Sequence, residues 1–425
     1  MFDSLLNALR APDIRRRILY VLGVLIIFRL LAHVPVPGVN KAALDTFFST
    51  NQLFGLLDLF SGGGLSNFSV VGLGVNPYIN ASIIMQLMTG VVPSLQALSR
   101  EGEYGRNQIN RYTRYLAVPL AALQAYGFLA LLASQNVLTT PFQLASWETL
   151  TQIVSLTAGS ILLMWLGELI TEKGIGNGIS FIIFAGIVSR APRAIGTFMA
   201  NPDFAAAIAI AILGVAAVAV VIYIQEGQRR IPIQYASRVR GRRLYQGGQT
   251  FLPLRVNQAG VIPIIFAVSI LLFPVQIAQY FTTSQVAIVK DISQAIVTLF
   301  SNTFFYATMY FLLTVGFTYF YTAFTFKPDE TAEQLRKNGG FIPGIRPGRP
   351  TQDYLARVVT RITLAGALFL GAVAVAPYVV SGVFTNLQGL ALGGTGLLIV
   401  VSVVVETMKQ IEAQLLMRNY EGFIR

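Results

Sequence analysis

The chain has 425 residues, of which 54% are hydrophobic and only 12% charged, and its formal net charge is +12. A water-soluble protein of this size cannot bury so much apolar surface in its core. The composition therefore excludes an ordinary soluble enzyme or binding domain and predicts a protein that lies in lipid. The absence of cysteine excludes disulfides, thiol chemistry and thiolate metal sites.

Apolar segments of roughly 20 residues, the length that crosses a bilayer, recur along the whole chain. They lie near residues 18–35, 73–96, 115–134, 150–170, 178–199, 204–225, 258–280, 303–325, 357–380 and 394–412. The first ends in a polar stretch, His33 to Pro37, and lacks the small-residue site of a cleaved signal peptide, so we interpret it as a span. Ten such segments predict an all-α polytopic membrane protein with ten transmembrane helices.

The distribution of basic residues predicts the orientation of these spans. Of the 31 Lys and Arg, only Lys41, Arg190, Arg193 and Lys290 lie on one face, and Arg29 lies within span 1. The other 26 lie at the two termini or around the loops that follow spans 2, 4, 6 and 8. Because short cytoplasmic loops are enriched in Lys and Arg, we expect both termini to be cytoplasmic.

Two apolar segments share one sequence pattern. The segment 74–84 (GVNPYINASII) matches 260–270 (GVIPIIFAVSI) at six of eleven positions, including the proline. Such paired, Gly/Pro-interrupted segments favour an inverted repeat with a passage at its centre, although small residues and Pro also recur in membrane helices generally. The repeat predicts two five-helix halves, residues 1–200 and 201–425, in which Ile79 and Ile265 meet near the midplane.

A glycine-rich stretch, residues 61–72, precedes span 2 and is too short and polar to cross a bilayer. Two interpretations stay open. It is a half-length re-entrant segment, which is tolerated only where protein or a water-filled cavity surrounds it, or it is an ordinary external loop.

The spans carry few groups that could perform chemistry. Arg29, His33, Glu168 and Glu406 all lie away from the centres of their spans, whereas coupled transporters usually keep ionisable residues at mid-membrane. The sequence shows no cluster of metal ligands, no nucleophile–base pair and no phosphate-binding loop. We therefore expect a passive conduit or a carrier, without cofactor or metal and without enzymatic activity.

Two loops predicted to be cytoplasmic, about 226–257 and 326–356, carry unusual composition. The first holds seven Arg, no Lys and one acidic residue, and the second contains three Pro and four Gly within 339–350. Arginine suits planar recognition of phosphates and carboxylates, and the Pro and Gly fix a shaped loop. We interpret both loops as docking surfaces for a cytoplasmic partner. The alternative for the first is topological anchoring together with anionic lipids.

Several motifs together make the chain resemble the SecY family, the channel-forming subunits of the bacterial Sec protein translocon, over essentially its full length. They are Phe60–Gly63, Gly74–Ile84, Glu101–Glu103, Gln108–Arg114, Thr171–Gly186, Gln228–Arg230, Gly241–Arg243, Asn257–Phe266, Gly339–Gly348 and Gly393–Val401. The resemblance implies ten helices in two inverted halves around an hourglass pore, with an aliphatic ring at the waist, a plug beneath it, and a lateral gate between helices 2 and 7.

Carried over by motif, the resemblance implies four sets of site residues, of which only Ile79 and Ile265 also follow from the repeat. The ring comprises Val75, Ile79, Ile83, Ile179, Ile183, Ile265 and Ile399. The plug comprises Ser61, Gly62, Gly63, Gly64, Leu65, Ser66, Asn67, Phe68, Ser69, Val70 and Val71. The polar part of the gate comprises Asn80, Gln124 and Asn257, and the partner-docking residues are Arg242, Arg243 and Arg346.

The resemblance also implies partners and a location. These are the small membrane subunits SecE and SecG, the SecA ATPase, the ribosome, signal sequences and preproteins, at the bacterial plasma (inner) membrane. Chain elongation or ATP hydrolysis by SecA would supply the driving force. Two other classes remain as alternatives: a secondary transporter of a small solute, which the inverted repeat also allows, and a membrane scaffold without an aqueous path.

Overall fold

The computed structural model describes residues 10–50, 58, 61–139, 142–143, 146–189, 204–235, 238–240, 243–245, 248–282, 286–383 and 388–424. Within these residues, fourteen helices carry most of the structure. They are α1 (Pro12–Leu31), α2 (Lys41–Thr50), α3 (Asn76–Val91), α4 (Pro93–Ser99), α5 (Glu103–Ser134), α6 (Trp147–Lys173), α7 (Gly178–Val188), α8 (Phe204–Glu226), α9 (Ile262–Phe281), α10 (Ala287–Ser301), α11 (Thr303–Thr325), α12 (Pro328–Lys337), α13 (Arg349–Val383) and α14 (Gln388–Ile424).

A helix lies at each of the ten predicted spans, and the predicted all-α class is confirmed. Within the part of the chain that is described, five helical stretches are long and apolar enough to cross a membrane, and a sixth if α3 and α4 form one span. The five are Glu103–Ser134, Trp147–Lys173, Ile262–Gln279, Thr303–Lys337 and Arg349–Ala376. Ten crossings therefore stay a prediction, because the other helices are shorter, more charged or partly outside the described residues.

Most of the helices begin at a proline or at a side chain that caps the helix N-terminus. Proline occupies the first turn of α1, α3, α4, α9 and α12, where its missing N–H would have no intrahelical partner. Ser146, Asn177 and Asn302 accept hydrogen bonds from first-turn N–H groups of α6, α7 and α11. The sequence thus fixes where most spans begin.

The predicted span 73–96 is not one straight helix. α3 and α4 meet at Val92, which has an extended backbone, at an angle of 102°. Pro93 follows, and a residue before proline is disfavoured in the helical region, so the helix ends there. The 16 residues of α3 reach only about 24 Å at 1.5 Å per residue.

The two loops that were predicted as docking surfaces form one unit. β1 (Gln228–Tyr235) pairs antiparallel with both β4 (Gln249–Arg255) and β5 (Gly340–Phe341), which places residues of the second loop beside the first. Two short strands, β2 (Arg238–Arg240) and β3 (Arg243–Tyr245), lie in the hairpin between β1 and β4. A separate apolar cluster that includes Ile231, Leu254 and Ile342 packs beneath the three-stranded sheet. Ile342 is therefore part of this core and not of an exposed docking face.

The main core runs through the helices of both predicted halves. It contains Phe28 of α1, Ile79 of α3 and Leu163 of α6, together with Ile265 of α9 and Ile399 of α14. α9 packs against α3 and α5 on one side and against α11 on the other. The paired segments 74–84 and 260–270 consequently meet at the centre of the molecule.

Candidate functional site

A cavity of about 680 Å³ opens between the first and second halves of the chain. Five isoleucines line it, from three helices: Ile79 of α3, Ile179 and Ile183 of α7, and Ile262 and Ile265 of α9. The rest of the wall is mostly polar and includes Ser82, Gln86, Asn107, Asn110, Arg114, Glu168, Thr171, Glu172, Asn177 and Ser180. This cavity, called the funnel below, therefore has a mostly polar wall with one aliphatic patch.

The two matched segments enter this site with the same backbone geometry. Gly74 and Gly260 have φ values of 62° and 65°, a region that glycine adopts without strain. Each is followed by a valine that precedes the helix, and the valine carbonyls of Val75 and Val261 accept hydrogen bonds from Ile79 and Ile265 at 3.0 and 3.2 Å. The sequence repeat is thus also a structural repeat, and it brings Ile79 and Ile265 to one cavity.

The remaining predicted ring residues lie behind this lining. Val75, Ile83 and Ile399 are buried in the same apolar core as Ile79 and Ile265, and they do not line the cavity. Ile183 is fully buried, although the funnel reaches it. The structure therefore places four of the seven predicted ring residues on the cavity wall and the other three in the packing around it.

Residues 61–71 form a compact, turn-rich segment that is packed inside the protein. Leu65, Phe68 and Val71 are buried in the main core, together with helix α1. The segment also pairs with the chain after α1, because Val36 donates to the Phe68 carbonyl at 2.8 Å and Val70 donates to the Val34 carbonyl at 3.0 Å. The interpretation as an ordinary external loop is wrong: protein surrounds this segment.

Helix α6 approaches the segment closely enough to require glycine. A Cβ atom added at Gly159 would lie 1.9 Å from the carbonyl oxygen of Val70. The next residue of α6 also contacts this region, because the Ser160 hydroxyl donates to the Gly74 carbonyl at 2.7 Å. The fourth predicted span therefore contacts both the segment 61–71 and the turn at Gly74 that precedes α3.

A small cavity of about 20 Å³ lies where the segment meets α3, α5 and α9. Its lining is Leu65, Gly72, Leu73, Asn76, Gln124, Phe128 and Gln276. Gln124 is one of the three predicted gate residues, and its Nε2 atom is buried with no hydrogen-bond partner in the described structure. The amides of Asn76 and Gln276 also reach this site; sequence reasoning missed them because no pattern links residues 200 positions apart.

The other two predicted gate residues lie elsewhere. Asn80 is half-buried on α3, and Asn257 precedes α9, where its Nδ2 donates to the Gly260 carbonyl at 3.1 Å. Neither lines the cavity that Gln124 lines. In the described residues the three side chains therefore do not form one polar cluster, although α9 packs against both α3 and α5.

An ion pair in the wall of the funnel joins helices α5 and α6. Arg114 Nε of α5 lies 2.6 Å from Glu168 Oε1 of α6, and both side chains are partly exposed to the cavity. Sequence reasoning treated Glu168 only as a residue near a span end, because its partner lies 54 positions away. The described residues contain no group of three or more His, Cys, Asp or Glu that could hold a metal ion.

The predicted docking arginines are described to different extents. Arg346 is exposed and, with Asp353, Tyr354 and Arg357, borders an open depression of about 410 Å³. Arg243 begins β3, and Arg242 lies outside the described residues. Because β5 pairs with β1, the loop of Arg346 and the hairpin of Arg243 belong to one unit.

Comparison with known proteins assigns the chain to a family. The family model described as SecY matches residues 69–408. The chain is 43% identical to the protein translocase subunits SecY of Streptomyces scabiei and of Mycobacterium bovis, with full coverage of this chain and of each relative.

Solved structures share the fold. One is a SecY protein whose plug domain stabilises the closed state of its translocation channel; the TM-score is 0.64 at 19% identity, covering 93% of this chain and 91% of that one. Another is Sec61 in the canine ribosome–channel complex, with a TM-score of 0.61 at 18% identity over the same shares. The family match, the full-length relatives and the shared fold together show that this chain belongs to the SecY family.

Proposed function

We propose that the chain is a protein-conducting channel, through which unfolded preproteins cross the plasma membrane and membrane proteins leave sideways into lipid. The observation that carries this proposal is the funnel whose aliphatic patch comes from both inverted segments, Ile79 from one and Ile265 from the other. Aliphatic side chains make no specific hydrogen bonds, so such a patch fits a passing chain of any sequence and excludes water when none is present.

The segment 61–71 serves as the plug of this channel. Its burial against α1 and α6 supports this role, as does the plug domain described for the SecY structure of the same fold. The gate lies between α3 and α9, where the small cavity with Gln124 marks imperfect packing that separation would relieve. Asn80 on α3 and Asn257 just before α9 would contact the signal sequence.

The halves 1–200 and 201–425 act as two bodies that part at this gate. SecE and SecG complete the complex in the membrane, and SecA or the ribosome docks on the sheet of loops 226–257 and 326–356. Ribosome-bound structures of the same fold support the docking of a ribosome. Both termini lie in the cytoplasm of a bacterial cell, with the protein in its inner membrane. The chain itself performs no catalysis and holds no cofactor.

The experiment is reconstitution of the purified chain, with SecE, SecG and SecA, into vesicles. A preprotein added outside, together with ATP, should become protected from protease. A preprotein without its signal sequence is the control and should stay digestible. If protection depends on neither ATP nor the signal sequence, the channel proposal is wrong. A secondary transporter is the alternative class, and uptake of a small solute against its gradient would favour it. The similarity to SecY translocase subunits gives no support to a transporter.

A further inference from the structure

Two charged residues, Asp58 and Arg29, form hydrogen bonds with the segment 61–71, and each bonds different residues of it. Asp58 is buried, with 4% of its surface exposed, just before the segment begins. Arg29 lies within the first predicted span, on α1. Charged groups inside a membrane protein are costly and are retained where they perform a task.

Asp58 organises the segment internally. Its Oδ1 atom accepts hydrogen bonds from the Ser61 hydroxyl at 3.0 Å, from the Leu65 amide at 3.0 Å and from the Ser66 amide at 2.9 Å. The Asp58 carbonyl accepts a further bond from the Gly63 amide at 3.1 Å. One carboxylate oxygen thus satisfies three donors and closes the first half of the segment into a compact turn.

Arg29 joins the segment to the wall of the channel. Its Nη1 atom donates to the Gly62 carbonyl oxygen at 2.6 Å, across 33 positions of sequence. Gly62 has a φ of 67°, and a Cβ atom there would lie 2.8 Å from Gly186 Cα and 2.9 Å from the Phe28 ring. The segment is therefore seated tightly between α1 and α7 at the residue that Arg29 holds.

The geometry points to Arg29 and Asp58 as the positioning residues that set the stability of the closed channel. Asp58 keeps the segment 61–71 folded, so that the segment moves as one rigid unit. Arg29 binds this unit to α1. The Asp58 bonds join residue 58 to the first half of the segment, so displacement of the two together need not break them. The Arg29–Gly62 bond joins it to its seat and must break. This inference rests on the proposed function, in which the segment is the plug.

Charge-assisted hydrogen bonds, such as that of Arg29 to the Gly62 carbonyl, are roughly twice as strong as neutral ones. Removing the Arg29 side chain should shift the balance between seated and displaced segment by about 10-fold to 100-fold toward displacement. Lysine keeps a positive donor on a flexible stem and should restore part of the effect. Asparagine at Asp58 keeps one acceptor oxygen and should act more mildly than alanine.

The test uses Asn67→Cys, since the chain has no other cysteine. A membrane-impermeant maleimide added from outside to the reconstituted complex reports the displaced segment. We expect Arg29→Ala and Asp58→Ala to accelerate resting labelling of this cysteine and to raise resting conductance, and Arg29→Lys to lie between them and the wild type. Leu30→Ala is the matched control, because Leu30 is the adjacent residue and faces outward.

The outcomes separate this inference from the function on which it rests. If the wild type does not protect preproteins, the channel proposal fails, while the labelling rates still report the tether. If the wild type does protect them, and the Arg29 and Asp58 variants label and conduct as Leu30→Ala does, the inference is overturned. Should Arg29→Ala fail to assemble, as judged by gel filtration, Arg29→Gln and Arg29→Lys are compared instead, and equal labelling of both with the wild type overturns it.

Discussion

At the scale of single residues, the aliphatic lining of the funnel is the feature with the clearest physical consequence. An ion passing a narrow site lined by Ile79, Ile183 and Ile265 would lose hydration water and gain no polar partner. The idle channel can therefore exclude ions although no backbone fills the funnel. Hydroxyl groups at the same positions would partly replace that hydration.

We expect the variant with serine at Ile79, Ile179, Ile183 and Ile265, which all line the funnel, to leak ions while it still moves preproteins, since translocation depends on width and not on a particular side chain. Lowering the barrier by about 3 kcal/mol would raise ion passage about 100-fold. Single-channel conductance in planar bilayers measures this. The matched control carries serine at Ile26, Ile84, Ile212 and Ile292, which all face outward. Near-zero conductance in both variants would place the seal elsewhere.

Gly159 gives a second prediction, on stability. Alanine there would force the Val70 backbone away from α6, because the added Cβ atom would overlap the Val70 carbonyl. We expect Gly159→Ala to lower the free energy of unfolding by about 1–3 kcal/mol, the usual cost of overpacking. Thermal unfolding in detergent measures it. Gly214→Ala on α8 is the control, because a Cβ atom at Gly214 would meet nothing within 4 Å; equal behaviour of the two variants would contradict the prediction.

At the scale of elements, the sequence predicts the existence of helices better than their shapes. Apolar length and first-turn prolines locate a helix at every predicted span, and the Gly–Val–x–Pro pattern locates the matched starts of α3 and α9. The bend at Val92 was missed, although Pro93 signals it, because apolar residues continue through it. The sheet of β1, β4 and β5 was missed as well, and the pairing of β1 with β5 leaves no local pattern because it joins residues more than 100 positions apart, such as Gln234 and Phe341.

The site residues that could be predicted without the family resemblance are those that belong to the repeated sequence pattern. Ile79 and Ile265 follow from the repeat, whereas Ile179 and Ile183 look like any lipid-facing isoleucines and follow only from the family resemblance. The bond of Arg29 to Gly62 and the pair of Arg114 with Glu168 depend on how helices pack. Such contacts are properties of the tertiary structure, and no spacing along one helix reports them.

One element, α10, has a surface that the spans do not explain. Ile288, Ile292 and Leu299 form an exposed apolar stripe, while Lys290 and Asp291 lie on a separate exposed face and Ser293 is buried. Three faces on one helix suit an element that touches protein, lipid and water at once. α10 connects α9 to α11, two of the predicted spans.

We expect α10 to lie in the outer membrane interface with this stripe in lipid. Spin labels on single cysteines at Ile288 and Ile292 should collide often with oxygen and rarely with a water-soluble nickel chelate. A label at Lys290 should show the reverse and is the matched control on the same helix. Low accessibility to both agents at Ile288 and Ile292, in the chain reconstituted alone, would mean that protein covers the stripe.

At the scale of the whole molecule, charge is distributed as unevenly as hydrophobicity. The hairpin between β1 and β4, joined to the loop of Arg346 through β5, gathers arginines on the face predicted to be cytoplasmic. Topological anchoring requires only positive charge near the span ends. The three-stranded sheet has its own apolar core and carries Arg229, Arg230 and Arg255 on its strands, which suits recognition of carboxylates or phosphates on a partner.

Reversal of these charges tests whether the unit is a docking surface. We expect glutamate at Arg242, Arg243 and Arg346 to weaken binding of SecA and of ribosomes to vesicles that contain the channel. Each lost charge-assisted contact should cost about 1.5–3 kcal/mol. The control carries glutamate at Lys41, Arg190 and Lys290, which are predicted to lie on the opposite face. It changes the net charge by the same amount and should bind both partners as the wild type does.

Co-sedimentation at two salt concentrations measures the binding of both variants. The difference in binding between them should shrink at high salt, because screening weakens exposed charge pairs. Unchanged binding of both partners to the first variant, or an equal loss in the control, would show that these arginines only set the orientation of the chain in the membrane.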